Sequence, residues 1–276
     1  MRTLIVGGSG FLGSELARQC SQAGHEVAAT YLTRAGETAD VEWLPLDVRR
    51  RENVDELICA FQPEAVIHAA FRQTDWTATA TGAANVALAV SMAGARLVHV
   101  SSDAVFSGAA IRYDETCVPD PISPYGAAKA AAETAVSAIA PAAVVARTSL
   151  IIGDDDSSHE ALVRSLATGS ARGVLFTDDV RCPVHVADLA AALLELAASG
   201  YRGIHHVAGA DAVSRYELGL LIARRDGLDA DRLPPGRRAD TRSPGPIDVR
   251  LDCAMTQRRL QTKLRGARQF LGDGQW

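Results

Sequence analysis

Lysine is almost missing from this chain. Of its 28 basic residues, only Lys129 and Lys263 are lysine, and the rest are arginine. A lysine kept against that usage suggests a place where a compact charge of tunable pKa serves and a permanently charged guanidinium does not. Cysteine is sparse too: five residues, at positions 20, 59, 117, 182 and 253, with no Cys-x-x-Cys spacing. That argues against a disulfide framework and against a zinc site. Positive charge is in deficit, with a formal net charge of −5, which argues against a nucleic-acid-binding surface. No stretch reaches the ~18 uninterrupted apolar residues that a membrane span needs. The first apolar run, Leu4-Ile5-Val6, is too short for the core of a signal peptide and reads as a strand. The expectation is a cytoplasmic protein in a reducing setting. A composition 47% hydrophobic and 22% charged suits a soluble globular fold.

What the chain does have is alternation of strands and helices. The first apolar run opens into Gly7-Gly8-Ser9-Gly10-Phe11-Leu12-Gly13. A helix is predicted over 14–22, with Gly24 at its end, and a second strand over 26–30. Gly7, Gly10 and Gly13 are spaced G-x-x-G-x-x-G across the first turn of this β-α-β unit. Such a loop lets backbone N–H groups approach a pyrophosphate at a helix N-terminus. Further strands are predicted near 44–46, 65–70, 96–100 and 143–147, with helices between them, from about 51, near 79–94 and around Tyr125. The pattern predicts an α/β fold: a Rossmann-type doubly wound parallel sheet over 1–150 that binds NAD(P).

After residue 150 the pattern loosens into a smaller mixed α/β substrate-binding lobe over 151–276, interleaved with the first unit. Helices are predicted near 159–168, 186–198 and 214–225, and short strands near 174–176 and 203–207. Residues 233–246, rich in Pro and Arg, read as an unpacked loop. One helix over 254–271 is predicted to end the chain.

The end of the second strand bears on the choice of cofactor. A carboxylate there would bind a ribose 2′-OH and repel a 2′-phosphate. Thr30-Tyr31-Leu32-Thr33-Arg34 carries none before Glu37. Arg34 is placed to hold a 2′-phosphate or else stands solvated, so NADPH is favoured over NADH. Asp47 either accepts from an adenine amine or caps the helix that follows. Ala69 and Ala70, after His68, are small enough for a cofactor to lie against the backbone.

Tyr125 and Lys129 stand at i and i+4, on one face of a helix. A phenol beside an ammonium is a proton donor whose pKa the positive charge lowers. Ser101-Ser102-Asp103 lies at the C-terminal end of the fifth strand, where open α/β sheets bind ligands.

Taken together, these motifs resemble the extended short-chain dehydrogenase/reductase superfamily. The likeness is greatest to its dTDP-4-dehydrorhamnose reductase branch of sugar-nucleotide reductases. It is carried by the glycine loop, by Ser101 through Gly108, by Tyr113, Glu115, Thr116, Pro119, Pro121, Ser123, Tyr125, Gly126, Lys129 and Glu133, and by the Arg181-Cys182-Pro183-Val184-His185-Val186-x-Asp188-Leu189-Ala190 and Asp248-Val249-Arg250-Leu251-Asp252 stretches.

The resemblance implies that Tyr125 gives a proton to a carbonyl oxygen, that Lys129 holds the nicotinamide ribose and depresses the phenol's pKa, and that Ser102 hydrogen-bonds the carbonyl. It implies cofactor contacts from Gly7, Gly10, Phe11, Leu12 and Gly13, from Thr30, Arg34, Asp47 and Val48, and from His68, Ala69, Ala70, Tyr125 and Lys129. Substrate contacts would come from Ser102, Asp103, Val105, Phe106, Tyr125, Arg181 and His185. Arg147, Arg181, Arg242 and Arg250 are candidates for a substrate diphosphate.

Related dehydratases place an Asp-Glu pair after the catalytic Ser or Thr. Here Asp103 is followed by Ala104, which argues against dehydration. Tyr is usual at that position in the reductase branch, so the particular sugar is left open. The functional expectation is an NADPH-preferring reductase of a keto group on a nucleotide-linked deoxysugar. An epimerase and a non-catalytic regulatory subunit are the alternatives. A homodimer is the assembly the superfamily suggests. Asp154-Asp155-Asp156 reads as a solvated loop, and no metal is expected. His185 either touches substrate or is structural.

Overall fold

A computed structural model of the protein describes residues 1–154, 157–241 and 245–272. Seven parallel strands form one sheet: β1 (Arg2–Val6), β2 (Glu26–Tyr31), β3 (Glu42–Pro45), β4 (Ala65–His68), β5 (Arg96–Ser102), β6 (Val144–Thr148) and β7 (Gly203–His206). Their order is β7-β6-β5-β4-β1-β2-β3, so the winding reverses between β1 and β4. Ligands bind at such a switch point, beyond the carboxyl ends of the strands.

Successive residues of a strand face opposite sides of the sheet. Ile5, Ile67 and Val98 accordingly pack on one side, against α1 (Phe11–Gln22) and α6 (Val186–Ala198). Leu4, Val66 and Leu97 pack on the other, against α2 (Arg51–Phe61), α3 (Gly82–Ala93) and α4 (Pro124–Ile139). The parallel strands are buried on both faces, which is why they read as unbroken apolar runs rather than alternating ones.

The remaining segments form the lobe. Helices α5 (Ser158–Thr168) and α7 (Arg215–Arg225) enclose a separate core of Ile152, Leu166, Leu218, Ile222 and Leu233. The two units interleave, since α6 and β7 return to the sheet from within the second stretch. No helix among the described residues is long and apolar enough to cross a membrane.

Two expectations fail here. The predicted helix over 254–271 is two single turns, Ala254–Gln257 and Ala267–Phe270. Between them, side chains from outside the segment and from the first turn take the backbone groups a helix would use. Glu195 on α6 accepts from the N–H of Gln261 and of Thr262 at 2.7 and 3.0 Å. Gln257 accepts from Leu264 N and donates to Thr262 O. The stretch 233–246 is also partly packed. Leu233 is buried, and Pro235–Gly236 pairs in parallel with Leu175–Phe176.

Candidate active site

Ser102 closes β5 and caps the short turn Asp103–Val105, its Oγ accepting from Ala104 N at 3.2 Å. α4 begins at Ser123-Pro124. Ser123 Oγ accepts from Gly126 N at 3.1 Å, and Pro124 has no N–H to satisfy. Gly126 lies so close to the Ala104 carbonyl that any Cβ would collide with it. The helix start is thereby seated on the turn after β5, which sets Tyr125 beside Ser102.

Lys129 follows one turn later and is buried. Its Nζ donates to Val100 O at 2.9 Å and lies 4.8 Å from the centre of the Phe71 ring. Ser102, Tyr125 and Lys129 line one cavity of about 790 Å³.

Burial pushes the Tyr125 phenol well above its ordinary range. A hydrogen bond with Ser102 pulls it partly back, and the Asp103 charge raises it further. Tyr125 is therefore protonated at neutral pH, the form a proton donor needs. Burial lowers Lys129 itself to about 8, with Glu133 opposing that fall.

Gly7 adopts φ +87°, and a Cβ on it would meet the Ala70 backbone at 2.7 Å. Its N–H donates to Thr30 Oγ1 at 3.0 Å. α1 has no capping side chain and no acidic residue in its first turn. Its leading N–H groups are thus left for a ligand, and Gly10, Phe11, Leu12 and Gly13 line the large cavity. A second cavity of about 280 Å³ continues past Thr30, Asp47, Val48, Ala69 and Ala70. An open helix start flanked by two cavities fits a dinucleotide laid across the switch point.

Three cofactor expectations need correction or refinement. Arg34 pairs with Glu37 at 2.8 Å on the open surface and lines neither cavity. Asp47 does line the cleft, but its carboxylate already holds Arg49 at 2.8 Å and makes no cap for α2, whose N-cap is Arg50. His68 lies beneath the floor. It faces the α2–α4 side with Val66, and its Nδ1 is 3.0 Å from that of His99. Burial drives His68 down to about 3, so the pair is neutral.

On another wall of the large cavity, three guanidinium groups surround Asp179. Arg181 lies 2.9 Å from its carboxylate, Arg238 3.4 Å and Arg215 3.5 Å. All three line the large cavity. Asp103 accepts from Ser149 Oγ at 2.6 Å and sits 3.6 Å from Arg181. Three cations against two carboxylates leave this wall positive.

Other substrate expectations fail. Val105 and Phe106 are fully buried and belong to a core cluster, with Phe106 stacked on Tyr113 at 4.1 Å. His185 caps α6, its Nδ1 accepting from Ala187 N at 3.2 Å, and its ring packs on Phe270. Arg147 is buried in a two-pronged pair with Glu133, at 2.8–3.2 Å. Arg250 pairs with Asp248 at 2.8 Å, away from the cavity. Arg242, Asp155 and Asp156 lie outside the described residues. Among the described ones, no group of three side chains could hold a metal ion.

The model of one protein family, the RmlD substrate binding domain, matches residues 1–273. The chain belongs to that family. The dTDP-4-dehydrorhamnose reductase of Mycobacterium tuberculosis is 34% identical over 257 residues, covering 89% of this chain and 82% of that one. Methionine adenosyltransferase 2 subunit beta of Xenopus laevis is 28% identical, covering 100% and 90%. A crystal structure of the Bacillus anthracis dTDP-4-dehydrorhamnose reductase in complex with NADP superposes with a TM-score of 0.84, at 23% identity, covering 98% and 96%. At that identity the superposition speaks for the fold alone.

In this RmlD-family chain, Phe71, Arg49, Arg215 and Arg238 line the site without having been expected there. Arg215 and Arg238 arrive from segments far apart in sequence, each with no local motif. Phe71 directly follows the small pair Ala69-Ala70 at the end of β4. An aromatic residue at the mouth of a strand end was the available signal.

Proposed function

We propose that this protein is an NAD(P)H-dependent reductase of a keto group on a nucleotide-linked deoxysugar, similar to dTDP-4-dehydrorhamnose reductase. One observation carries the reading: Ser102, Tyr125 and Lys129 converge where a dinucleotide-shaped cleft meets an arginine-walled cavity. When bound in the cleft, a nicotinamide would supply the hydride. Tyr125, held protonated by burial, gives its proton to the carbonyl oxygen as negative charge grows there, and Ser102 donates to the same oxygen. Lys129 has one N–H committed to Val100 and keeps others for the ribose. Arg181, Arg215 and Arg238 receive the diphosphate, since planar guanidinium groups suit phosphate oxygens.

Reduction is favoured over loss of water. Ala104 supplies no acid, and the Asp103 carboxylate is already held by Ser149 and Arg181. The absence of a carboxylate at the end of β2 admits a 2′-phosphate, so NADPH is the preferred donor. The relative named as an adenosyltransferase subunit raises a non-catalytic reading, which the intact Ser102, Tyr125 and Lys129 set disfavours. We place the protein in the cytoplasm, where its five free thiols stay reduced, and as a homodimer.

The test supplies a dTDP-4-keto-6-deoxysugar and follows NADPH absorbance. Consumption is expected, with Tyr125→Phe slower by ~10²–10⁴-fold. Arg215→Ala is expected to raise KM for the sugar nucleotide with little change in kcat. Product without net NADPH consumption would select an epimerase. No turnover on this substrate, with Tyr125→Phe unimpaired on some other carbonyl, would end the reading.

A further inference from the structure

The two cavities share Phe71. Its side chain is a large apolar one left 50% exposed at the junction. Its ring is 5.7 Å from that of Tyr125 and 4.8 Å from Lys129 Nζ, centre to centre and centre to atom. The lysine has little else to balance its charge. One carbonyl, Val100 O, accepts from it. Glu133, one turn along α4, supports the charge from a distance but is shared with Arg147 and with Ser101 Oγ at 2.5 Å. His68 on β4 and His99 on β5 are buried and neutral and bond to each other. Asp103, after β5, is held by Ser149 and Arg181, and burial keeps Tyr125 protonated and uncharged.

We propose that Phe71 is a positioning residue for Lys129, the face of its ring holding the ammonium charged and aimed into the cleft. The negative face of an aromatic ring attracts a cation most strongly where water is excluded, as it is around this buried amine. The ring thereby opposes the desolvation that drives Lys129 down to about 8. An aliphatic side chain in its place would keep water out and offer no such attraction. The role in catalysis rests on the reductase reading; the contact with the ammonium does not.

The near-absence of lysine makes the contact measurable. With lysine labelled by ¹³C at Cε, the protein gives two signals, from Lys129 and the exposed Lys263, and Lys263→Arg assigns them. Their titration is followed by NMR in the full chain, without turnover. In Phe71→Leu the Lys129 midpoint is expected to fall by ~0.5–1 pH unit, the size of a cation–π contact, and in Phe71→Tyr to stay within ~0.2. The alkaline limb of kcat/KM moves with it. A midpoint unchanged or raised in Phe71→Leu, or lowered equally in Phe71→Tyr, overturns the proposal. Failure of the reductase reading would show separately, as wild-type protein that reduces no keto sugar.

Discussion

Replacing Lys129 by Met should make the protein more stable near neutral pH while abolishing its activity. The side chain is buried with Val100 O as its one hydrogen-bond partner. An ordinary lysine titrates at 10.5, and burial brings this one to about 8. At ~1.36 kcal/mol per pH unit, holding the ammonium in the folded state costs ~3 kcal/mol at pH 7. The folded value lies below the unfolded one. Below pH 8 both states are therefore protonated and the full cost is present. Between pH 8 and 10.5 the folded protein sheds a proton that the unfolded chain keeps, and stability rises with pH.

Met is of similar length and carries no such charge. It forfeits the bond to Val100 O, worth ~1 kcal/mol, while the pull of the Phe71 ring on the charge is already contained in the folded value. The net expectation is a variant ~2 kcal/mol more stable than wild type at pH 7. That advantage falls by ~2 kcal/mol by pH 9.5, to about zero. Urea unfolding of both proteins at pH 7, 8, 9 and 9.5 measures the difference, in which the titrations common to both cancel. Parallel stability curves across that window would refute the assignment of a depressed lysine.

Two further outcomes follow from the same packing. Glu133→Ala strands the buried Arg147 guanidinium and should cost ~3–5 kcal/mol in denaturant unfolding. The double variant Glu133→Leu with Arg147→Met should recover much of that loss, and a simple sum of the single effects would show that the pair is not coupled. Arg34→Ala should leave the ratio of kcat/KM for NADPH and NADH within ~2-fold, because Arg34 pairs with Glu37 on the open surface; a loss of tenfold or more would return the 2′-phosphate to that residue.

The sequence shows clearly where strands end, and much less clearly which way side chains turn there. The glycine loop, the end of β5 and the i, i+4 pair on α4 are local patterns, so Ser102, Tyr125 and Lys129 are legible one segment at a time. Arg147 is not. Whether a strand arginine meets phosphate or carboxylate depends on what the neighbouring helix presents, and here α4 presents Glu133. His68 and Phe106 fail for a related reason, since each lies on the strand or turn expected to touch ligand but faces the packed interior. The C-terminal helix misleads because its apolar spacing is right while Glu195, distant in sequence, captures the amides it needs. Arg215 and Arg238 have meaning only around Asp179, a carboxylate that joins three segments no motif connects.

The return of α6 and β7 to the sheet, with Leu260 and Leu264 sealing the same side, has a consequence for how the molecule is born. When the first 150 residues have left the ribosome, α1 covers only part of that face of the sheet, and one edge is open. The rest of the face stays uncovered until α6 and these leucines have cleared the exit tunnel. The early-made sheet therefore passes through a period as a surface that other chains can stick to, and cutting the gene at the visible seam between the units would make that passing exposure permanent.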